Sequence, residues 1–345
     1  MEGHRSFALY FAIFCCLWTG THQDKKGYVR LGSQTSDMPD EKSDNKAGIR
    51  PEHGCRSLLV MKLAETGSTW FASLLQNTQA YTVKKEIYTS KDQRIPVVER
   101  ERVMESYLNC EPKLHVRTPV VGFTVNPKNN PDVHWAELVK SVKHGKTYVV
   151  RWHRSNVVKT AISAYRKSHM NCGGNEKSHN MNNIMIEGSG MDEGYVECLR
   201  APTIVDFKGF VKTVAHQAGF YSELEKAFIQ ASSQLDASKS LTMYYEDMEE
   251  DEGRQMRKLA EFLGNALYYK APKDGTAKKT SNDLRDAITN YNELLKGVYD
   301  LNVPASLKCP LVDMFTSVGF EKYIDCDYAG LRRFLLEGPH FLETR

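Results

Sequence analysis

Strand, small-residue turn and helix follow one another from Arg56 to Leu75, and this unit restricts the fold more than any other stretch of the chain. Ser57 to Leu63 is an apolar run of the length of a buried strand. Glu65-Thr66-Gly67-Ser68-Thr69 is small and hydroxylated, and Trp70, Phe71, Leu74 and Leu75 then recur at helical spacing. This geometry points free backbone N–H groups at an anion. Gly67 permits close approach, and the Ser68 and Thr69 hydroxyls add donors. The stretch is not a Walker A loop, because GxxxxGK[ST] is absent. Taken alone, an ordinary helix capped by Ser or Thr explains it equally well.

A second unit of the same kind weighs against that plain reading. Tyr148 to Trp152 is a strong buried strand, and Val157, Val158, Ala161, Ile162 and Tyr165 then recur at helical spacing. Arg154 stands at the strand-to-helix turn and Ser163 on the helix. A guanidinium at a helix N-terminus with a hydroxyl nearby makes a second anion site. A nucleotide with phosphates at both ends would account for both units.

Between these units, Tyr81 to Ile87 reads as a strand ending in Lys84-Lys85-Glu86. Val97 to Leu108 and Asp132 to Val142 read as helices, with a strand within Val116 to Val125. Beyond them, Lys167 to Cys198 is a long polar segment with the character of a lid or substrate loop. Helices are expected over Val205 to Gly219, Tyr221 to Ser232, Arg254 to Leu263, Leu284 to Leu295 and Leu331 to Leu336. A strand is expected over Ser240 to Tyr245, with a turn at Glu246-Asp247. Repeated βα units with helices on both faces imply an α/β domain with a mostly parallel sheet.

Lys and Arg number 46 against 43 Asp and Glu, and this near-balance argues against a nucleic-acid partner. Residues 1–20 form a targeting segment: Arg5 precedes the apolar run from Phe7 to Trp18. The run is short for a bilayer span, which takes about 20 residues. Trp18 is a poor residue for a cleavage site, so a cleaved signal peptide and a type II signal-anchor are both open. Either places the remainder in the secretory lumen or outside the cell. Residues 21–54 are polar and read as a flexible stem, which leaves 55–345 as the folded domain. Cys55, Cys110, Cys172, Cys198, Cys309 and Cys326 form an even set suited to an oxidising compartment. Proximity favours Cys172 with Cys198 and Cys309 with Cys326, although six cysteines allow about 15 pairings. No Cys/His spacing argues for a metal.

These motifs together resemble the sulfotransferases that use 3′-phosphoadenosine-5′-phosphosulfate (PAPS), particularly the Golgi carbohydrate-type and bacterial branches. AETGSTW at Ala64 to Trp70 looks like the 5′-phosphosulfate loop, usually PKSGTTW or PKTGST. RSNVVKTAIS, with Arg154 and Ser163, looks like the 3′-phosphate motif. LTMYYEDM at Leu241 to Met248, followed by EFLG, is similar to a family strand–helix step. KTSNDLRDAITNYNE from Lys279 resembles the late loop and helix that close over the nucleotide. The resemblance implies a three-layer, P-loop-like α/β fold and no metal requirement. It implies that Thr66, Gly67, Ser68, Thr69 and Trp70 hold the 5′ end, that Arg154 and Ser163 hold the 3′-phosphate, and that Lys279 covers it. Glu86 takes the place of the general base and Lys85 that of the cation on the phosphosulfate, with His115 and His153 as rival bases. The implied acceptor bears a hydroxyl and is best matched by a glycan. One residue departs from the pattern in sign: Glu65 stands where the loop usually carries Lys or Arg. That carboxylate is the support for an alternative, a sulfotransferase fold that binds nucleotide or glycan without turnover.

Overall fold

The computed structural model describes residues 55–78, 81–84, 86–109, 120–142, 146–169, 201–264 and 283–338. The expected targeting segment and stem, Lys85, His115, Lys279 and the expected Cys172–Cys198 pair lie outside the described residues. Five strands form one sheet: β1 (Arg56–Met61), β2 (Tyr81–Lys84), β3 (Val120–Val125), β4 (Lys146–His153) and β5 (Ser240–Tyr244). Their order is β2-β3-β1-β4-β5, and every pairing is parallel.

All six residues of β1 are buried, as a central parallel strand covered on both faces requires. Side-chain alternation divides the run between two cores. Leu59 and Met61 join Phe123, Val149 and the helices α2 (Val97–Leu108), α3 (Trp135–Ser141), α4 (Val157–His169) and α5 (Phe207–Ser232). Leu58 and Val60 join Val150 and Trp152 under α1 (Ser68–Asn77), α6 (Tyr245–Glu250) and α7 (Glu252–Phe262). The register sets Met61 opposite Val125 on one side and Arg151 on the other, so the turns after β1, β3 and β4 open at one edge. The connections leaving β1 and β4 run in opposite directions across the sheet. That switch point, at the carboxyl ends of the strands, is where ligand crevices form in such sheets.

Several boundaries differ from the sequence reading. The two helices expected over Val205 to Ser232 are one: Gly219 continues the helix at a cost of about 1 kcal/mol, and the absent Cβ leaves room for the Arg332 side chain to pack there. The helix expected over Leu284 to Leu295 is two, α8 (Leu284–Ala287) and α9 (Tyr291–Asp300). The break arises because Thr203 donates to Ala287 and accepts from Thr289, while the Asn290 side chain bonds both backbone groups of Val205. Glu246 and Asp247, expected in a turn, lie in α6. Farther on are α10 (Leu311–Thr316) and α11 (Tyr328–Glu337). The expected Cys309–Cys326 disulfide is formed with a Cα separation of 4.5 Å and staples the start of α11 to the α10 region. Among the described residues no helix is long and apolar enough to cross a membrane.

Candidate active site

The loop after β1 is held from two sides. The Thr66 hydroxyl donates to the Leu63 carbonyl at 2.8 Å, and the Trp152 indole of β4 donates to the Thr66 carbonyl at 2.8 Å. Trp152 in turn stacks on Phe71 of α1, with centroids 4.3 Å apart. Gly67 precedes α1 at φ 72°, in the left-handed region that favours glycine. A Cβ there would lie 2.4 Å from Cδ2 of Tyr245. The first turn of α1 has no side-chain cap and no acidic residue. Its leading N–H groups therefore point out of the sheet edge with the positive end of the helix dipole behind them. Ser68 is buried and Thr69 exposed at this end. Trp70 meets the edge of Tyr245 and hydrogen-bonds Glu252.

Tyr245 joins this loop to the next one. The same ring that covers Gly67 lies under the buried Arg154, whose guanidinium carbon is 4.6 Å from the ring centroid. Arg154 begins the turn between β4 and α4. The backbone N–H groups of that turn are engaged within the protein. Glu246, buried on α6, accepts from Ser155 N at 3.0 Å and from Asn156 N at 3.3 Å. Burial pushes the Glu246 carboxyl up, and Arg154 and these backbone donors oppose the shift. Asn156 accepts from Lys159 N and donates to the Met314 carbonyl, which completes the cap. The turn thus offers side chains, Arg154 and, farther along α4, Ser163.

On the opposite side of the β1 loop, Lys62 is the first residue past the strand. Its backbone N–H continues toward Val125 and its buried ammonium donates to Glu86 Oε2 at 2.7 Å. Asn129 donates to Glu86 Oε1 at 3.1 Å. Each Glu86 oxygen thereby has a fixed donor, at the end of β2 and beside the end of β3. Charge-assisted bonds of this kind are short and orienting. Among the described residues no cluster of His, Cys, Asp and Glu is arranged to hold a metal ion.

The family model for the sulfotransferase domain matches residues 56–300. The chain belongs to this sulfotransferase family. No curated protein matches it. Solved structures with which it aligns include the sulfotransferase domain of the Synechococcus PCC 7002 olefin synthase, at 12% identity and TM-score 0.35, covering 82% of this chain and 96% of that one. A mouse sulfotransferase complexed with PAP aligns at 12% identity and TM-score 0.29, covering 84% and 89%. The sulfotransferase from Alicyclobacillus acidocaldarius aligns at 15% identity and TM-score 0.35, covering 71% and 93%.

In this sulfotransferase, Thr66 to Trp70 and Arg154 converge through Tyr245, and Glu86 stands on Lys62. Ser163 does not stand open: its hydroxyl donates to Glu65 Oε2 at 3.3 Å, and Lys167 Nζ lies 2.8 Å from Glu65 Oε1. His153 is enclosed by Tyr221, Tyr244 and Tyr328, and its Nε2 lies 3.3 Å from the Tyr328 hydroxyl. Burial, with Arg151 nearby, lowers its pKa to about 3, so the ring is a neutral packing element. The sequence reading had not singled out Asn129, Tyr245, Glu246 or Lys167. Tyr245 and Glu246 carried a signal in the LTMYYEDM segment, which had been read only as a strand–helix step.

Proposed function

We propose that the enzyme transfers the sulfuryl group of PAPS to a hydroxyl of a carbohydrate acceptor. When bound, PAPS supplies the sulfuryl group; the chain supplies orientation, charge and a proton acceptor. The uncapped N-terminus of α1 fits the phosphosulfate end: its N–H groups, Gly67 and the Ser68 and Thr69 hydroxyls are donors, and no acid stands in that turn. Arg154 fits the 3′-phosphate, and Ser163 would join it on exchanging its bond to Glu65 for one to the phosphate. Glu86 is the general base that takes the proton of the attacking hydroxyl, and Lys62 and Asn129 hold its carboxylate in position. Sulfuryl transfer parallels phosphoryl transfer, in which positioning and electrostatics do most of the catalysis. The pairing of Glu65 with Lys167 offsets the wrong-signed residue of the loop and so favours turnover over binding alone.

The observation that carries the reading is the Lys62–Glu86 pair, because Lys62 follows β1 directly and the chain runs from it into the loop before α1. A glycan acceptor is supported by the carboxylate base, which the carbohydrate-type branch resembles, and by the N-terminal apolar run. That run and the Cys309–Cys326 disulfide support a secretory-lumen location, in the Golgi or secreted. The test is Glu86→Gln. Transfer of labelled sulfate to a glycan panel falls by about 10²–10⁴-fold, the range of a general base. Affinity for 3′,5′-ADP (PAP), the desulfated nucleotide, stays within about threefold, as loss of a transition-state interaction requires. Undiminished transfer would remove Glu86 from the role. Transfer to a tyrosyl peptide or a small alcohol in preference to glycans would overturn the acceptor class.

A further inference from the structure

Basic side chains from three elements meet on one surface beside the Glu86 end of the site, and the reading above uses none of them. Lys128 stands in the short 3₁₀ turn Pro127–Asn129 after β3, where the Asn126 side chain accepts from its backbone N–H at 3.2 Å. The next residue, Asn129, holds Glu86 Oε1. The Lys128 ammonium lies 3.5 Å from the centroid of the Phe220 ring on α5. Lys212, His216 and Phe220 recur at intervals of four along α5 and share one face of that helix. Arg332 comes from α11 and lies across Gly219, where a Cβ would stand 2.9 Å from its Cδ. The absent Cβ thus seats the arginine chain on the same stripe. Lys128, Lys212, His216 and Arg332 all stand at the surface.

These cations are gathered without counter-ions. Among the described residues none of the four forms an ion pair or a side-chain hydrogen bond. Partial burial lowers the His216 pKa, and Lys212, Arg332 and Lys128 push it the same way with no carboxylate opposing them. Glu223 is the acid that faces Lys128, and partial burial of that ammonium outweighs it. Like charges held together repel and weaken the folded state, so stability is no reason for the arrangement. A bound polyanion relieves the repulsion. With 46 basic residues against 43 acidic ones the chain as a whole has no field that would gather nucleic acid, so the patch is a local feature.

We propose that this surface binds the acceptor, and that the acceptor is an anionic glycan bearing carboxylates or sulfates along its chain. The inference rests on the transferase reading above and narrows its substrate class. A sugar whose hydroxyl meets Glu86 lies beside Asn129, and the first cation along that turn is Lys128. From there the stripe of α5 continues the track, and Lys212 to Phe220 extends about 12 Å at the helical rise. Lys128 and Arg332 are fixed by an aromatic ring and by the Gly219 seat, so the charges are placed before the ligand arrives.

The probe is a size-defined oligosaccharide of unsulfated chondroitin, whose uronates supply the carboxylates. The control is the same oligosaccharide with its carboxylates reduced to alcohols. In isothermal titration the wild-type chain binds the uronate form about tenfold more tightly than the reduced form, and the preference shrinks at higher salt. Lys128→Gln, Lys212→Gln and Arg332→Gln combined weaken binding of the uronate form by on the order of 30-fold, and leave the reduced form and PAP within about twofold. In transfer of labelled sulfate to the uronate form the loss falls on KM rather than kcat, as removal of uniform binding requires. Lys212→Gln alone, which disturbs no packing, costs about threefold. The His216 ring, followed by nuclear magnetic resonance, titrates at higher pH with the uronate form bound, because a nearby anion favours the imidazolium. Equal binding of the two oligosaccharides overturns the proposal, as does a triple variant within about twofold of wild type. Losses that track a fall in melting temperature assign the cluster to structure and also overturn it. Tighter binding of duplex DNA or of phosphatidylserine vesicles than of the uronate form makes the patch a surface for those partners and overturns it too. If the wild-type chain sulfates neutral glycans and not the uronate form, this inference alone falls. If it sulfates no glycan, the proposed function fails and the acceptor assignment falls with it.

Discussion

The N-termini of α1 and α4 stand at one sheet edge, after two strands paired side by side, and they meet opposite fates. Ahead of α1 the chain places Gly67, and no side chain caps the leading N–H groups. Ahead of α4 the N–H groups of Ser155 and Asn156 are taken by Glu246, a carboxylate 91 residues away from Ser155 in sequence. The local pattern is nearly the same in both: buried strand, polar turn, apolar helix. An anion site needs N–H groups that the fold leaves unsatisfied, and a distant acid decides which helix keeps them. In the proposed reading the two ends divide the work: one offers backbone donors to the phosphosulfate, and the other offers the Arg154 side chain to the 3′-phosphate. Tyr245 couples them, with Gly67 against its ring edge and Arg154 over its face.

The contrast can be broken from the open side first. In Gly67→Ala the new Cβ lies 2.4 Å from the Tyr245 ring, which is already hemmed by Trp70 and Trp152. The left-handed conformation adds about 1–3 kcal/mol of strain. Displacing the loop costs on the order of 10²-fold in PAP affinity, in keeping with the penalty for misplacing a reacting group by an ångström. Titration calorimetry measures it, and wild-type affinity in Gly67→Ala would show that the loop is not the donor cradle. From the closed side, Glu246→Ala strips two buried N–H groups of their acceptor and Arg154 of its counter-charge. Unfolding in urea should show a loss of about 1–3 kcal/mol for the stranded donors. Glu246→Gln keeps an acceptor and should lose less than half as much. Equal losses would mean that Glu246 acts through its charge rather than as a cap.

Much of the frame was legible in the sequence because it is local. The apolar run of β1, the helical spacing of Phe71, Leu74 and Leu75, and the full extent of α2 follow from period and burial. The parallel sheet follows from the alternation of such units. The donor loop was legible for the same reason, since its small residues, turn and helix are contiguous. What escaped was the pairing of distant residues. Nothing near Ser155 announces that Glu246 will close α4, and nothing near Glu65 announces Lys167. A lysine at the end of an apolar run, as Lys62 is, is hidden or functional according to where the strand stops. The strand stops at Met61, one residue before it. The break in the Leu284 to Leu295 helix was likewise imposed from outside, by backbone pairing with Thr203 and Val205.

The most direct test follows the backbone amides of both helix ends by ¹⁵N nuclear magnetic resonance while PAP is titrated into selectively labelled protein. The amides of Gly67, Ser68 and Thr69 should shift strongly and saturate with the binding isotherm, while those of Ser155 and Asn156, held by Glu246, should move far less. Large shifts at Ser155 and Asn156 with quiet resonances at Gly67 to Thr69 would contradict the assignment of α1 as the open, donor-binding end.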